Sequence, residues 1–166
     1  CLRERLTGLP GVSYTAGDKF APGYEHPQGT MELDITDLPF TDECFDLILC
    51  SHVLEHVHDD RSAMRELYRV LAPGGSAILM VPFDADRAVT DEDPQVTDPQ
   101  ERIRRFGQFD HVRQYGRDYA DRLRAVGFTV LEDPLATRLS PADVFRFGLL
   151  RNEVVHVGMK RPMDPA

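Results

Sequence analysis

The sequence lacks the features of several large protein classes. It has three cysteines in 166 residues and no C-x-x-C spacing, so no disulfide framework is indicated, and we expect a reducing, cytoplasmic location. No apolar run approaches the roughly 20 residues of a membrane-spanning helix, so we expect no membrane partner. No G-x-G-x-x-G follows any predicted strand, which disfavours a dinucleotide-dependent oxidoreductase.

Positive charge is also scarce. The chain has 19 lysines and arginines against 28 aspartates and glutamates, and its net charge is −9. Proteins that bind a phosphate backbone cluster basic residues on one face, and no such cluster is visible here. We therefore expect no nucleic-acid partner. A hydrophobic content of 42% in 166 residues is enough for one domain with a hydrophobic core.

Two apolar runs flank an amphipathic segment in the middle of the chain. Phe45–Cys50 and Ser76–Val81 each have the length of a strand, and neither alternates cleanly, so we expect both to be buried on two faces. Between them, Asp59–Leu71 carries its apolar residues on one helical stripe, and Pro73-Gly74-Gly75 stops the helix. Strand, helix and strand with short connections predict a βαβ unit with parallel strands.

Further strands and helices are predicted on both sides of this unit. Alternating residues indicate strands before it, and two more strands close the chain, at Val12–Ala16, Thr30–Ile35, Phe128–Leu131 and Glu153–Met159. Periodicity and capping residues predict helices at Leu2–Leu6, Pro99–Phe106, Gly116–Val126 and Ser140–Phe147. Strands that alternate with helices predict a doubly wound α/β domain.

Three phrases of the sequence resemble one protein family. They are LDITDLPF from Leu33, FDLILCSHVLEHV from Phe45 and ELYRVLAPGGSAILMV from Glu66. Their order and spacing resemble the class I S-adenosylmethionine-dependent methyltransferases, in particular the small-molecule branch with the ubiquinone- and menaquinone-type enzymes. The resemblance implies a mostly parallel, Rossmann-like sheet that ends in an antiparallel hairpin. It also implies S-adenosyl-L-methionine as cofactor and methyl transfer to a small-molecule acceptor.

The resemblance assigns two aspartates to the cofactor. Ligands of open α/β sheets bind outside the carboxyl ends of the strands. In the family an acidic residue after the second strand accepts the ribose hydroxyls, which implies this role for Asp18; a solvated loop aspartate is the other interpretation. In the family's counterpart of LDITDLPF, the first acidic residue accepts the adenine amino group and the residue after it meets the ring. The resemblance therefore implies these roles for Asp34 and Ile35. Alternatively, Asp34 caps the end of its strand.

The end of the central strand is the third predicted cofactor position. The resemblance implies that the backbone of Cys50, Ser51 and His52 meets the methionine part of the cofactor. Side-chain identity then matters little. We expect Cys50 to be a small buried residue rather than a nucleophile, because no cationic group is evidently placed to lower its pKa.

The histidines after this strand also suggest a metal site. His52, Glu55 and His56 satisfy the H-x-x-E-H pattern, in which two helical histidines bind zinc and the glutamate acts as base. That motif needs a helix of several turns, whereas the predicted helix begins only at Asp59. A third ligand at a recognisable spacing is also missing. We therefore expect no metal.

His111 is the candidate catalytic residue. Related enzymes often carry a histidine at this point, where the chain folds over the cofactor. His111 is therefore predicted to orient the substrate or to act as a general base. The alternative is a structural histidine that holds the loop by a hydrogen bond. Residues 84–115, acidic and proline-containing in their first half, are interpreted as a lid-like insertion.

One element of the family is not found. Its first strand and glycine-rich turn would precede Leu2–Leu6, and in the family's sheet that strand lies between those predicted at Val12–Ala16 and Phe45–Cys50. Without it, these strands would face each other with unpaired backbone groups, so we expect the single domain 1–166 to be N-terminally incomplete. A non-catalytic or cofactor-deficient binding module of the same fold is the alternative function. No N-P-P-Y or D-P-P-Y phrase is present, which disfavours nucleobase amines as acceptors.

Overall fold

The computed structural model describes residues 2–20, 25–150 and 153–162. The strands are β1 (Ala16–Asp18), β2 (Thr30–Glu32), β3 (Phe45–Ser51), β4 (Leu71–Met80), β5 (Asp91–Glu92), β6 (Arg113–Gln114), β7 (Thr129–Asp133) and β8 (Val155–Met159). The α-helices are α1 (Leu2–Thr7), α2 (Asp60–Val70), α3 (Pro99–Phe106), α4 (Tyr119–Ala125) and α5 (Pro141–Phe147). Short 3₁₀ helices lie at Leu54–His56 and Leu135–Arg138.

The main sheet has the strand order β3-β4-β8-β7. β3 and β4 are parallel, and α2 connects them, so the predicted βαβ unit is confirmed. β8 runs antiparallel to both β4 and β7, as predicted for the closing hairpin. The α/β fold class is therefore confirmed, with a Rossmann-like part built on β3, α2 and β4.

The core lies between α2 and one face of the main sheet. The helix begins after Asp59, whose carboxylate accepts the Ser62 N–H at 2.9 Å, and it ends at Val70, shortly before the predicted Pro-Gly-Gly stop. Its buried stripe packs against the inward residues of β3 and β4 and against α4, in a cluster that includes Cys50, Ala63, Met64, Leu67, Leu79 and Leu123. The helix therefore fixes the position of the β3 end.

The prediction that β3 is buried on both faces is wrong. Leu47 and Leu49 point to one face and are 52% and 42% exposed, whereas Ile48 and Cys50 point to the core. Among the described residues, β3 is the edge strand of the main sheet, and its outer face is open. A continuous apolar run cannot distinguish a strand covered on both faces from one covered on a single face.

The first predicted strand is shorter and shifted. Val12 and Tyr14 are 44% and 36% exposed and lie outside any strand, and only Ala16–Asp18 pairs, in parallel, with Thr30–Glu32. Alternation alone does not form a strand, and Val12 and Tyr14 pair with no strand among the described residues. In the described part of the chain, β1 and β2 form a sheet of their own, separate from β3. The expected N-terminal incompleteness stays a prediction.

The segment 84–115 is well structured. Helix α3 starts as predicted, with Asp98 accepting the Glu101 N–H at 2.9 Å and a proline at its first turn. β5 and β6 pair antiparallel, which brings the first part of the segment next to its end. The C-terminal part of this segment carries the buried residues Phe106, His111, Val112, Arg113 and Tyr115. Within the three described ranges, no helix is both long and apolar enough to cross a bilayer.

Candidate functional site

The first two predicted cofactor residues lie at adjacent strand ends. Asp18 is the last residue of β1, and Asp34 follows β2, the parallel partner of β1. The Leu33 N–H donates to the Asp18 carbonyl at 2.8 Å, which brings the two aspartate-bearing segments together. The exposed Asp18 carboxylate lies 3.1 Å from Nδ1 of His26.

Asp34 sits in a tight turn. Its Oδ1 accepts the Thr36 N–H at 2.9 Å and the Thr36 hydroxyl at 2.6 Å, so the alternative role as a strand-end cap is present in the structure. These two hydrogen bonds, led by the hydroxyl, lower the pKa of the Asp34 carboxyl and keep it ionised. Neither bond uses Oδ2. Asp34 is exposed, whereas Ile35 is half-buried and packs against the main core.

The chain after this turn is tied to α2. Glu66 accepts the Leu38 N–H at 2.8 Å, and the Arg69 guanidinium donates to the Leu38 and Phe40 carbonyls at 2.9 and 2.7 Å. Arg69 also bonds Glu66 at 2.8 and 2.7 Å. The phrase LDITDLPF is thus anchored to the helix that follows β3, and the Asp34 turn has a fixed position relative to the central unit.

The third predicted position lies at the carboxyl end of β3. Cys50 is 5% exposed, and burial raises the pKa of its thiol to about 12, so it is a packing residue and not a nucleophile, as expected. Ser51 ends the strand and is exposed. His52 has a φ of 57°, in the left-handed region that few residues other than glycine adopt, and its N–H donates to the Met80 carbonyl at 2.9 Å. The chain therefore turns sharply as it leaves β3.

This turn brings Glu55 into the interior. Residues Leu54–His56 form a 3₁₀ helix, too short to place His52 and His56 on successive turns of an α-helix, so the zincin arrangement is not formed. Glu55 is 1% exposed, and both of its carboxylate oxygens are buried without a hydrogen-bond partner among the described residues. Nδ1 of His52 and Nε2 of His56 lie 3.4 and 3.9 Å from Oε1 of Glu55.

His111 lies beside this turn. It is 7% exposed, and its ring stands edge-on to the ring of His56, with 4.7 Å between the centroids. Its Nδ1 lies 3.0 Å from the Phe106 carbonyl, the hydrogen bond that a structural histidine would make. A carbonyl only accepts, so Nδ1 is the donor of this bond, and in the neutral ring Nε2 holds the lone pair. The bond thus orients the ring without using the nitrogen that could act as a base.

The buried Arg113 side chain links the turn after β3 to β5. Its guanidinium donates to the carbonyls of Leu54, Val57 and His58, and its Nε lies 2.9 Å from Glu92. The same network continues through Asp60, which accepts from Arg122 at 3.0 Å and from the Tyr115 hydroxyl at 2.9 Å. Arginines and carboxylates alternate in this network, so each buried charge has an opposite neighbour.

The structure brings the predicted residues into two groups. Asp18, Asp34 and Ile35 belong to the β1–β2 end, whereas Cys50 and Ser51 end β3 and His52 follows it. His111 lies beside Glu55 and His56, in the turn after β3. A separate surface concavity of about 290 Å³ is lined by Glu92, Asp93, Arg102 and Arg113 among others, and includes none of the predicted site residues.

Two residues of this region were missed or misassigned from the sequence. The sequence suggests Glu55 only as the base of a zincin motif, and Arg113 only as part of the end of the lid-like segment 84–115. The H-x-x-E-H spacing did mark the segment that contains Glu55. No local pattern could have paired it with His111, because the contact depends on how residues 84–115 fold back.

The parallel βαβ unit of β3, α2 and β4, with a sharp loop at the carboxyl end of β3, defines a Rossmann-like α/β domain. Residues 15–79 match the family model described as "Methyltransferase domain". These residues are therefore similar to the methyltransferase-domain family, in agreement with the resemblance of their motifs.

Curated relatives agree with this assignment. The Bacillus subtilis protein named uncharacterized methyltransferase YcgJ is 36% identical over 81 residues, which cover 49% of this chain and 30% of the relative. The ubiquinone/menaquinone biosynthesis C-methyltransferase UbiE of Xanthomonas oryzae is 40% identical over 75 residues, covering 45% of this chain and 24% of the relative. The matched stretches are thus less than a third of each relative.

Solved structures share the fold at low identity. The crystal structure of YcgJ superposes with a TM-score of 0.53 at 19% identity, covering 81% of this chain and 72% of that one. A chain from the Haloferax volcanii complex of the Trm112 methyltransferase activator and a methyltransferase gives 0.57 at 16% identity, covering 99% and 78%. A Burkholderia thailandensis 1,6-didemethyltoxoflavin-N1-methyltransferase gives 0.52 at 17% identity, covering 80% and 50%.

Proposed function

We propose that this protein transfers a methyl group from S-adenosylmethionine to a small-molecule acceptor. The family match over residues 15–79 supports methyl transfer. The names of similar proteins support the finer statement: UbiE is a C-methyltransferase of quinone biosynthesis, and the Burkholderia structure contains 1,6-didemethyltoxoflavin and S-adenosylhomocysteine.

The position and charge state of Asp34 support the cofactor assignment most directly. An ionised carboxylate at the end of β2 is suited to accept a hydrogen bond from the adenine amino group. Thr36 occupies Oδ1 and leaves Oδ2 for this purpose. In the proposal, Asp18 accepts the ribose hydroxyls from the neighbouring strand end, Ile35 meets the ring, and the Ser51–His52 backbone meets the methionine part.

The chemistry requires alignment more than acid–base catalysis. When bound, S-adenosylmethionine would supply an electrophilic sulfonium methyl group and a thioether leaving group, and the chain would align the acceptor atom with them. Holding nucleophile, methyl and sulfur in line supplies much of the rate enhancement, so a strong base is not obligatory. The proposal therefore needs a rigid strand end at Ser51, which α2 and the core provide, and no thiol nucleophile from Cys50.

The acceptor side is assigned to residues 84–115. This segment packs over the turn after β3, because the Val112 N–H donates to the Glu55 carbonyl at 2.9 Å and Arg113 holds the neighbouring carbonyls. We therefore place His111 on the acceptor side, where it orients the acceptor. The net charge of −9 favours a small acceptor over a polyanion.

Titration calorimetry with S-adenosylmethionine tests the cofactor assignment. Asp34→Ala is expected to weaken binding by about 1–3 kcal/mol, the scale of a lost hydrogen bond to a charged group. Asp37→Ala is the matched control, because Asp37 is an exposed aspartate of the same turn without a proposed cofactor contact. It should bind like the wild type.

Equal affinities of the wild type and Asp34→Ala would contradict the adenine contact. Equal losses in both variants would mean that the turn conformation matters and the Asp34 carboxylate does not. No binding to the wild type at millimolar cofactor would reject the proposed function and favour a cofactor-deficient binding module.

A further inference from the structure

We propose that Glu55, His56 and His111 form a binding site for one divalent transition-metal ion. One ligand atom from each residue lies within 4.8 Å of the other two. Ligands at tetrahedral zinc are about 2.0–2.2 Å from the metal and hence roughly 3.4 Å from one another. Small side-chain rotations would therefore close the three atoms around an ion.

The strongest indication of a ligand is the buried Glu55 carboxylate, which accepts no hydrogen bond from a described residue. Both oxygens are buried, the residue is 1% exposed, and neither oxygen accepts a hydrogen bond from a residue that the structure describes. A buried carboxylate without a partner is strongly destabilising. Its near neighbours are the imidazoles of His52 and His56, which are themselves metal-binding groups. A cation held by this carboxylate and by the imidazoles of His56 and His111 would balance the buried negative charge.

Both ligand histidines are oriented as metal-binding histidines are. Such a histidine donates its second ring N–H to a carboxylate or a backbone carbonyl, which fixes the tautomer and the ring direction. Nδ1 of His111 lies 3.0 Å from the Phe106 carbonyl, and Nδ1 of His56 lies 3.3 Å from Oδ2 of Asp110. In each ring Nδ1 is thereby engaged, and Nε2 is left for a metal.

The backbone that carries the three ligands is held in place before any ion binds. The Val112 N–H donates to the Glu55 carbonyl at 2.9 Å, which joins the two ligand-bearing segments directly. Arg113 adds bonds to the carbonyls of Leu54 and His58, both at 3.0 Å. A preformed ligand set loses little conformational entropy when the ion enters.

The donor set indicates the kind of ion. Two imidazole nitrogens and one carboxylate oxygen suit Zn²⁺ and related transition metals, whereas Mg²⁺ and Ca²⁺ prefer oxygen ligands only. Three protein ligands leave a coordination position open, as in catalytic rather than structural zinc sites. The proposed site differs from the zincin pattern in the sequence, because Glu55 is a ligand and His111 replaces His52.

Calorimetric titration of Zn²⁺ into chelator-treated protein, without S-adenosylmethionine, tests the proposal. One equivalent should bind to the wild type. Glu55→Gln keeps the shape of the side chain and removes the charge. The Zn²⁺ affinity of this variant should fall by more than the roughly 10–100-fold loss that follows removal of a residue hydrogen-bonded to a metal ligand. His111→Ala should do the same, and Asp110→Asn should show the smaller, about tenfold, loss.

His58→Ala is the matched control, since His58 is an exposed histidine next to the same loop. It should bind Zn²⁺ like the wild type. Co²⁺ should give visible ligand-field absorption in the wild type that Glu55→Gln abolishes. Absence of Zn²⁺ binding, or equal affinity in Glu55→Gln and the wild type, would overturn the metal site. Because no cofactor is present, these outcomes are independent of the proposed methyl transfer.

Discussion

The two ends of the candidate site are built in opposite ways. At the β2 end, Asp34 is exposed, and its carboxylate is bonded by Thr36, two residues away. At the β3 end, Glu55 is buried, and its segment is held by Val112 and Arg113 from a distant part of the chain. The Asp34 turn itself is formed by local hydrogen bonds, so substitution of the exposed Asp34 should leave the fold intact. The β3 end depends on tertiary packing, so its residues determine both stability and site geometry.

Arg113→Met should produce the largest effect, because it breaks the packing of the buried end. The substitution removes the partner of the Leu54, Val57 and His58 carbonyls and leaves Asp60 and Glu92 with one arginine fewer. Loss of one partner from a buried charge network costs about 3–5 kcal/mol. Urea unfolding of the wild type and the variant measures the difference in unfolding free energy.

Arg104→Met provides the matched control. Arg104 also pairs with a glutamate, Glu101, but its side chain is 72% exposed, so its urea midpoint should stay at the wild-type value. Equal effects of the two arginine substitutions would remove the contrast between the buried network and the surface pairs.

His156 should produce a smaller, pH-dependent effect. It is 1% exposed between the rings of Phe83 and Tyr119, and burial lowers its pKa below the ordinary histidine value of 6.5. As the pH falls below 6.5, the unfolded chain takes up a proton that the folded protein excludes. Stability should therefore decrease with falling pH until the folded pKa is reached.

His156→Phe should flatten this dependence. The unfolding free energy, measured by urea at pH values of about 7.5 and 5.5, should fall less in His156→Phe than in the wild type. The exposed His58, replaced by alanine, should leave the wild-type slope unchanged. If the unfolding free energy of His156→Phe decreased with falling pH as steeply as that of the wild type, groups other than His156 would cause the loss of stability.

Leu47→Lys should produce the smallest effect. Leu47 is 52% exposed on the open face of β3, and surface substitutions usually change stability by no more than about 0.5 kcal/mol. Leu79→Ala, on the covered face of the neighbouring β4, should cost about 2–5 kcal/mol, because Leu79 is fully buried. If Leu47→Lys were as destabilising as Leu79→Ala, the outer face of β3 would have to be covered in solution.

Features with local causes were predictable from the sequence. Helices α3 and α5 begin where Asp98 and Ser140 precede a proline, and both caps are formed. The stripe of α2 and the closing antiparallel strands were also predicted within a few residues. In these cases the determining residues are neighbours along the chain.

Features that depend on distant partners were not predictable. The length of β1 is set by its pairing with β2, and the exposure of Leu47 by the position of β3 in the sheet. The approach of His111 to Glu55 depends on the fold of the segment between α3 and β6. At the site, the sequence therefore indicated the residues of the β2 and β3 ends, but not the buried cluster behind them.

Amide hydrogen exchange with and without S-adenosylmethionine tests the central claim most directly, since it maps where the cofactor binds. If the cofactor binds at the carboxyl ends of β2 and β3, exchange should slow at residues 33–38 and 51–55 and stay unchanged at residues 141–147 of α5. Unchanged exchange at both strand ends under saturating cofactor, or protection confined to residues 92–96 beside the separate concavity, would contradict the central claim.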